Sequence, residues 1–421
     1  MSEGEARFDA SGDKSCKMTL PKARVWELPS EVLLSIFSEL QVADPAGRYC
    51  TSRRRRSLGW FAVTHVNRRW RVIALGSNTL WARTLCTFNH PDAMQQYLFR
   101  SGNAPVIIDL NTLAYNTACM PVEKRVMVGL AERSLFARSL AIVTSDLKHG
   151  SQHCFLPTLS GLLSQQTFSF LERLDIFIST SMGTVTPFYA PHLKTLWMST
   201  DSPSSEAAPL SFQSLETIFR GSPRIKDLKL KRAISADSYS TADVVTKSAL
   251  LLSNVEVETF DEHLTVLLSQ CVSLSTDCVA DLTVLSVRKL CTAHVAVSGF
   301  MQLHPRVIEL YYGLEEGDFD EDSLVPLTLF CEVALRDGHR RVVYRQPWNH
   351  STWSFNDLGR IDIDEVTSLT ISDYDLGDGE ELPAHLDPSS LLRSLPNLRD
   401  LYLYDTSHIA LTCTWRWKVS L

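Results

Sequence analysis

Residues 28–40 read Leu28-Pro29-Ser30-Glu31-Val32-Leu33-Leu34-Ser35-Ile36-Phe37-Ser38-Glu39-Leu40, and their apolar positions fall at helical spacing. Val32, Leu33, Ile36, Phe37 and Leu40 make one stripe along such a helix. Pro29 suits the first turn, where its missing N–H costs nothing, and Glu31 favours the positive end of the helix dipole. Residues 41–57 then form a polar, arginine-rich connection. Helical periodicity returns over residues 60–75 through Val63, Val66, Trp70, Ile73 and Ala74, and Asn78-Thr79-Leu80-Trp81 closes the unit. Helices this few and this short leave much apolar surface uncovered, so the unit is expected to dock on a partner or on the chain behind it.

The chain has 421 residues, enough for two or three domains or one elongated array. With 44% hydrophobic and 21% charged residues it has the composition of a folding, globular chain. The net charge of −7 argues against a protein that coats nucleic acid. Locally the balance reverses: residues 41–71 hold Arg48, Arg53, Arg54, Arg55, Arg56, Arg68, Arg69 and Arg71 against Asp44 alone, which leaves −14 for the rest. Six of the remaining acids, from Glu315 to Asp322, read as a solvated loop. The ten cysteines include no Cys-x-x-Cys pair, which supports no zinc module. No apolar leader opens the chain, and no run of about 18 uncharged apolar residues occurs; an intracellular protein without a membrane span is expected, in the cytoplasm, the nucleus or both.

Beyond Trp81 an L-x-x-L-x-L pattern recurs at Leu171/Leu174/Ile176, Leu193/Leu196/Met198, Ile225/Leu228/Leu230, Leu282/Leu285/Val287, Val307/Leu310/Tyr312, Val366/Leu369/Ile371 and Leu398/Leu401/Leu403. The starts differ by 22, 32, 57, 25, 59 and 32 residues, so one degenerate unit is expected in each wide gap. A unit of this kind contributes a short strand whose apolar residues are buried only by stacking on the next, which gives a solenoid. A mixed α/β domain with ordinary strands is the alternative. In the solenoid, Lys194, Lys229, Tyr311 and Tyr402 would lie on the face open to a partner. From Ile409 to Leu421 apolar residues alternate, a strand pattern.

The residues quoted for 28–40, with Val63-Thr64-His65-Val66-Asn67-Arg68-Arg69-Trp70-Arg71 and Leu80-Trp81, resemble the F-box, especially the version abundant in F-box-like proteins of mushroom-forming fungi. Pro223-Arg224-Ile225-Lys226-Asp227-Leu228-Lys229-Leu230 and the stretch 395–403 resemble degenerate leucine-rich repeats. The resemblance implies a disordered tail over 1–24, an F-box-like helical module over 25–85, and an irregular leucine-rich-repeat-like solenoid over 86–421, an α+β or α/β repeat architecture. It implies that Leu28, Pro29, Glu31, Val32, Ile36, Phe37, Leu40, Val63, Val66 and Trp70 face a Skp-family adaptor, with Leu80 and Trp81 buttressing the module. Through that adaptor the chain would join a cullin-RING ubiquitin ligase as its substrate-recognition subunit, holding an unknown protein substrate and performing no catalysis itself. The alternative function is an interaction scaffold in which the helical unit merely caps the repeats.

Other chemistry finds little support. His149 and His153 stand four apart but lack a third ligand, and Gly150 and Ser151 between them favour a loop. The acidic runs at Asp318 and Asp373 lack the Gly and Glu that a calcium loop needs at its sixth and twelfth positions. No phosphate loop, dinucleotide fingerprint or nucleophile elbow occurs, so no cofactor is expected. The run Arg53-Arg54-Arg55-Arg56 reads as a solvated loop, and nucleic-acid binding is not expected.

Overall fold

A computed structural model describes residues 28–47, 49–50, 55–88, 90–109, 124–143, 167–178, 185–200, 210–235, 250–259, 263–285, 290–301, 303–315, 328–347, 364–374 and 392–404. The stretch 1–24, His149, His153, most of both acidic runs and the alternating segment 409–421 lie outside them.

The first helix, α1 (Ser30–Ala43), starts directly after Pro29, whose carbonyl accepts the Leu33 N–H at 3.1 Å. It continues beyond Leu40, so Gln41 is helical and buried where a loop was expected. A two-residue hairpin comes next, β1 (Tyr49–Cys50) antiparallel to β2 (Arg55–Arg56). A 3-10 turn over Gly59–His65 leads into α2 (Arg68–Gly76), α3 (Asn78–Ala82) and α4 (Pro91–Ser101). Asn67 is extended and its Oδ1 accepts the Trp70 N–H at 2.9 Å, the N-cap that lets α2 begin. Gly59 has φ +51°, and a Cβ there would stand 2.5 Å from the Asp44 carbonyl oxygen, the atom that accepts the Trp60 N–H. Only glycine fits that close approach.

Aromatic rings fill the interior of this unit. Phe37 lies 5.4 Å from Trp70, Trp60 is 5.5 Å from Trp81, and Trp81 stacks on Phe61 and Tyr97, each at 5.5 Å. Trp81 Nε1 donates to the Ala74 carbonyl at 2.9 Å, and Gln41 Nε2 donates to the Leu80 carbonyl at 2.9 Å. The packing does not stop at Leu85: Met94 and Tyr97 of α4 belong to the same apolar cluster.

Beyond α4 the chain builds a mixed, mostly parallel sheet. In chain order its strands are β3 (Val106–Asp109), β4 (Ala137–Val143), β5 (Arg173–Ile178), β6 (Thr195–Thr200), β8 (Asp227–Lys231), β10 (Leu250–Thr259), β11 (Val272–Leu285), β12 (Val307–Glu315), β13 (Thr328–Asp337), β14 (Arg340–Pro347), β15 (Ser368–Tyr374) and β16 (Asp400–Tyr404). Two further short strands, β7 (Leu210–Ser211) and β9 (Ile234–Ser235), pair separately. Among the connections lie α5 (Lys124–Arg133), α6 (Phe212–Gly221), α7 (His263–Cys271) and α8 (Leu290–Met301). From β3 to β11, each strand of the large sheet pairs in parallel with the next one of that sheet along the chain. This order arises from a chain that returns to the same rim after each strand.

The register explains the sequence pattern. Ile142, Ile176, Met198, Leu230, Val257, Leu282, Val342, Leu335, Ile308, Leu369 and Leu401 stand side by side across the sheet. Leu140, Leu174, Leu196, Leu228, Val255 and Ala280 form the row beside them. Within a period-2 strand these rows share one face.

The structure corrects three expectations. The gap between Ile225 and Leu282 holds one further parallel strand, β10, but the gap between Val307 and Val366 holds an antiparallel meander, with β13 running against both β12 and β14. The reading at Leu282 is out of frame, because Leu282 occupies the place of Ile176 and not of Leu171. Val307 lies in the Arg336 row on the opposite face, and Ile308 and Leu310 face the core. Both slips have one cause: long strands with sustained alternation satisfy L-x-x-L-x-L in several frames.

Candidate functional site

The apolar stripe of α1 divides into two ridges. Leu33, Phe37 and Gln41 point into the unit, while Val32, Ile36 and Leu40, at i, i+4 and i+8, run along one flank. Val32 is 42% exposed, and Ile36 and Leu40 are half-buried. Leu28 is half-buried and Pro29 exposed in the turn before the helix, and Glu31 is exposed in its first turn. Arg69 Nη2 donates to the Leu28 carbonyl at 2.6 Å, which fastens that turn to the start of α2. Val66 is 58% exposed just before α2, and Trp70 is half-buried with its ring against Phe37.

Two residues expected on this outer face are elsewhere. Phe37 has no exposed surface and Val63 is 6% exposed, so both belong to the interior of the free chain. A stripe read from spacing alone cannot separate the ridge that meets the module's own core from the ridge beside it. Leu80 and Trp81 are buried at the centre of the unit.

Several residues were not singled out from the sequence. Arg71 Nε donates to the Thr64 carbonyl at 3.0 Å, so Arg69 and Arg71 flank Trp70 as clamps on the turns before α1 and α2. The signal was present in the alternation of arginine around a tryptophan, but composition alone reads such arginines as solvated. Val42, Val72 and Leu75 add further exposed apolar side chains on α1 and α2.

Burial pushes the Cys86 thiol up to about 12 and the Cys271 thiol up to about 11, which keeps both protonated and unreactive at neutral pH. A cleft of about 600 Å³ lies between Pro187, Phe188 and Tyr189 on one side and α6 on the other; its charged residue, Arg220, is tied to Glu216. Burial pushes His294 down to about 4, and its Nδ1 lies 3.0 Å from the Tyr344 hydroxyl, inside the fold. Among the described residues no cluster of three His, Cys, Asp or Glu could hold a metal ion, and no helix is long and apolar enough to cross a membrane.

The geometry defines a small helical module with an apolar outer flank, built onto one edge of a large sheet. Residues 25–87 match the F-box-like family, and the chain carries an F-box-like domain there. Comparison with curated proteins and with solved structures finds no match. An F-box-like domain is consistent with a protein that acts in ubiquitin ligase complexes.

Proposed function

We propose that the chain is the substrate-recognition subunit of a Skp-cullin-F-box type ligase, working in the cytoplasm, the nucleus or both. The flank of Leu28, Pro29, Glu31, Val32, Ile36, Leu40, Val66 and Trp70 binds a Skp-family adaptor, and the sheet region, an irregular leucine-rich-repeat-like array, holds the protein substrate. The observation that carries this reading is the F-box-like domain with Val32 and Val66 exposed on it. Such side chains gain from being covered by a partner helix, at roughly 25 cal/mol per Å² buried. The sequential parallel strand order supports the array. The contribution to ubiquitin transfer is proximity: a tethered substrate meets the recruited conjugating enzyme at a high effective concentration.

Calorimetric titration of the full chain with a purified Skp-family adaptor tests this. Saturable binding is expected, lost in Val32→Glu and Val66→Glu because each would place a charge in an apolar contact. Absence of binding by the folded wild-type chain would overturn it.

A second reading has its own observation. The helical unit closes the β3 edge, where Cys86 Sγ accepts the Asp109 N–H at 3.3 Å. In that reading the module is a cap and the chain is an interaction scaffold without a ligase. The same titration separates the two.

A further inference from the structure

The backbone sets up a line of charge at the rim where the parallel strands begin. The Glu172 N–H donates to the Arg138 carbonyl, the Lys194 N–H to the Glu172 carbonyl and the Lys226 N–H to the Lys194 carbonyl, each at 2.8 Å. This ladder places Arg138 in β4 beside Glu172, Lys194 and Lys226, the residues just before β5, β6 and β8, about 4.8 Å apart. Two residues upstream of Glu172, Lys194 and Lys226, in the turns that lead into these strands, stand Phe170, His192 and Arg224. Arg224 Nη1 lies 3.1 Å from His192 Nδ1, and since a guanidinium only donates, Nδ1 accepts.

The balance of charge at this rim differs from that of the sheet face beside it. On the face, Lys229 and Lys231 share Glu256, Arg232 pairs with Glu258, Arg336 with Glu309, Arg341 with Asp281, and Arg345 with Glu332. At the rim, Arg138 and Lys194 share one carboxylate, Glu172, at 3.3 Å each. Arg224 and Lys226 meet no carboxylate at ion-pair distance among the described residues, and Asp227 beside them takes a hydrogen bond from Thr195 at 3.1 Å. Arg138 and Lys194 are just over half exposed, and His192, Arg224 and Lys226 are exposed. Like charges on neighbouring strand positions repel each other. Among the described residues Glu172 and Asp227 are outnumbered there by Arg138, Lys194, Arg224 and Lys226, which leaves a deficit of negative charge that an outside partner can fill.

We infer that this rim binds an extended acidic segment of a protein, with one apolar residue of that segment resting on Phe170. The inference deepens the substrate-receptor reading and rests on it for the partner being a protein. From Arg138 to Lys226 is three strand spacings, about 14 Å, which spans roughly four residues of extended peptide. Phe170 is 47% exposed and supplies the apolar contact. A nucleic acid fits less well, because the chain's net charge of −7 opposes a dense polyanion and the rim offers one ring in place of a stacking platform.

The test uses the full chain and a fluorescein-labelled peptide of five glutamates around one phenylalanine, read by fluorescence anisotropy. Expected are saturable binding that weakens as salt rises, a loss of about tenfold or more in Arg224→Glu/Lys226→Glu, and unchanged binding in Arg399→Glu, a cation elsewhere on the rim. Circular dichroism and adaptor titration on the same double variant show that fold and adaptor binding persist, which separates a failure here from a failure of the ligase reading. No saturable binding by the wild type, or full affinity in the double variant, would overturn the inference. So would displacement of the peptide by an oligonucleotide of equal charge that binds more tightly.

Discussion

Replacing Phe37 by alanine and, separately, Val32 by alanine distinguishes the two ridges of α1 in the free chain. Phe37 has no exposed surface and packs on Trp70 at 5.4 Å, so its truncation leaves a cavity and removes a ring pair. Core Phe→Ala changes cost about 3–5 kcal/mol, and the lost aromatic contact falls within that range. Val32 keeps 42% of its surface in water, and its truncation costs about 0.5 kcal/mol. Urea unfolding followed by tryptophan fluorescence measures both, since Trp60, Trp70 and Trp81 report on this core. Phe37→Ala should move the midpoint strongly and Val32→Ala hardly at all. Within the ligase reading the order of interest reverses once adaptor is present, because Val32 would then be the contact. If Phe37→Ala costs less than about 0.5 kcal/mol, or if the two changes cost the same, the division into an inner and an outer ridge is wrong.

Further outcomes are expected from other positions. Gly59→Ala should fail to fold or lose several kcal/mol in thermal unfolding, because its Cβ would stand 2.5 Å from the Asp44 carbonyl at a φ of +51°. Trp81→Phe should cost about 1–2 kcal/mol by urea unfolding, since it leaves the buried Ala74 carbonyl without its side-chain donor. His294, held down to about 4 in the folded chain, stays neutral below pH 6.5 while the unfolded chain takes up a proton, so stability is full above pH 6.5 and falls as pH drops towards 4. The fall, up to about 1.4 kcal/mol per pH unit, should be smaller in His294→Asn across a pH series of unfolding curves. Deleting residues 1–101 should give an aggregating fragment by size-exclusion chromatography, because it uncovers the β3 edge and the apolar surface beneath it.

Local periodicity made much of this architecture legible and left its joints illegible. The triads at Leu171, Leu193, Ile225 and Val366 each mark a buried residue just before a strand followed by two core-facing strand residues. The frame slipped in β11 and β12, where longer alternation admits more than one reading, and the reversal of β13 into β14 is marked by the turn at Asp337-Gly338, with Gly338 at φ +57°, which apolar spacing alone does not register. At the module, spacing located α1 and α2 but could not tell Phe37 from Ile36. That distinction depends on where α2 lies; Asn67 caps its start locally, but its position is set by contacts distant in sequence, Arg69 on the Leu28 carbonyl and Gly59 against Asp44.

The joint between module and sheet bears on how a ligase subunit would work. Between the last residue of α4, Ser101, and the first of β3, Val106, the chain has four residues, beginning with Gly102 at φ +53°. Across this short turn, Cys86 bonds to Asp109, and Met94 of α4 lies so close to α5 that a Cβ at Gly129 would stand 2.5 Å from its methyl. No flexible linker intervenes between α4 and β3, so the F-box-like module and the sheet behind it are joined by a short, packed turn. Effective concentration depends on geometry as well as tethering: a rigid arm concentrates its cargo in one direction and excludes others. Within the ligase reading, a substrate segment on the rim is therefore presented along one vector, and the exchange of aromatic packing for a loose linker would weaken ubiquitin transfer while leaving both binding events intact.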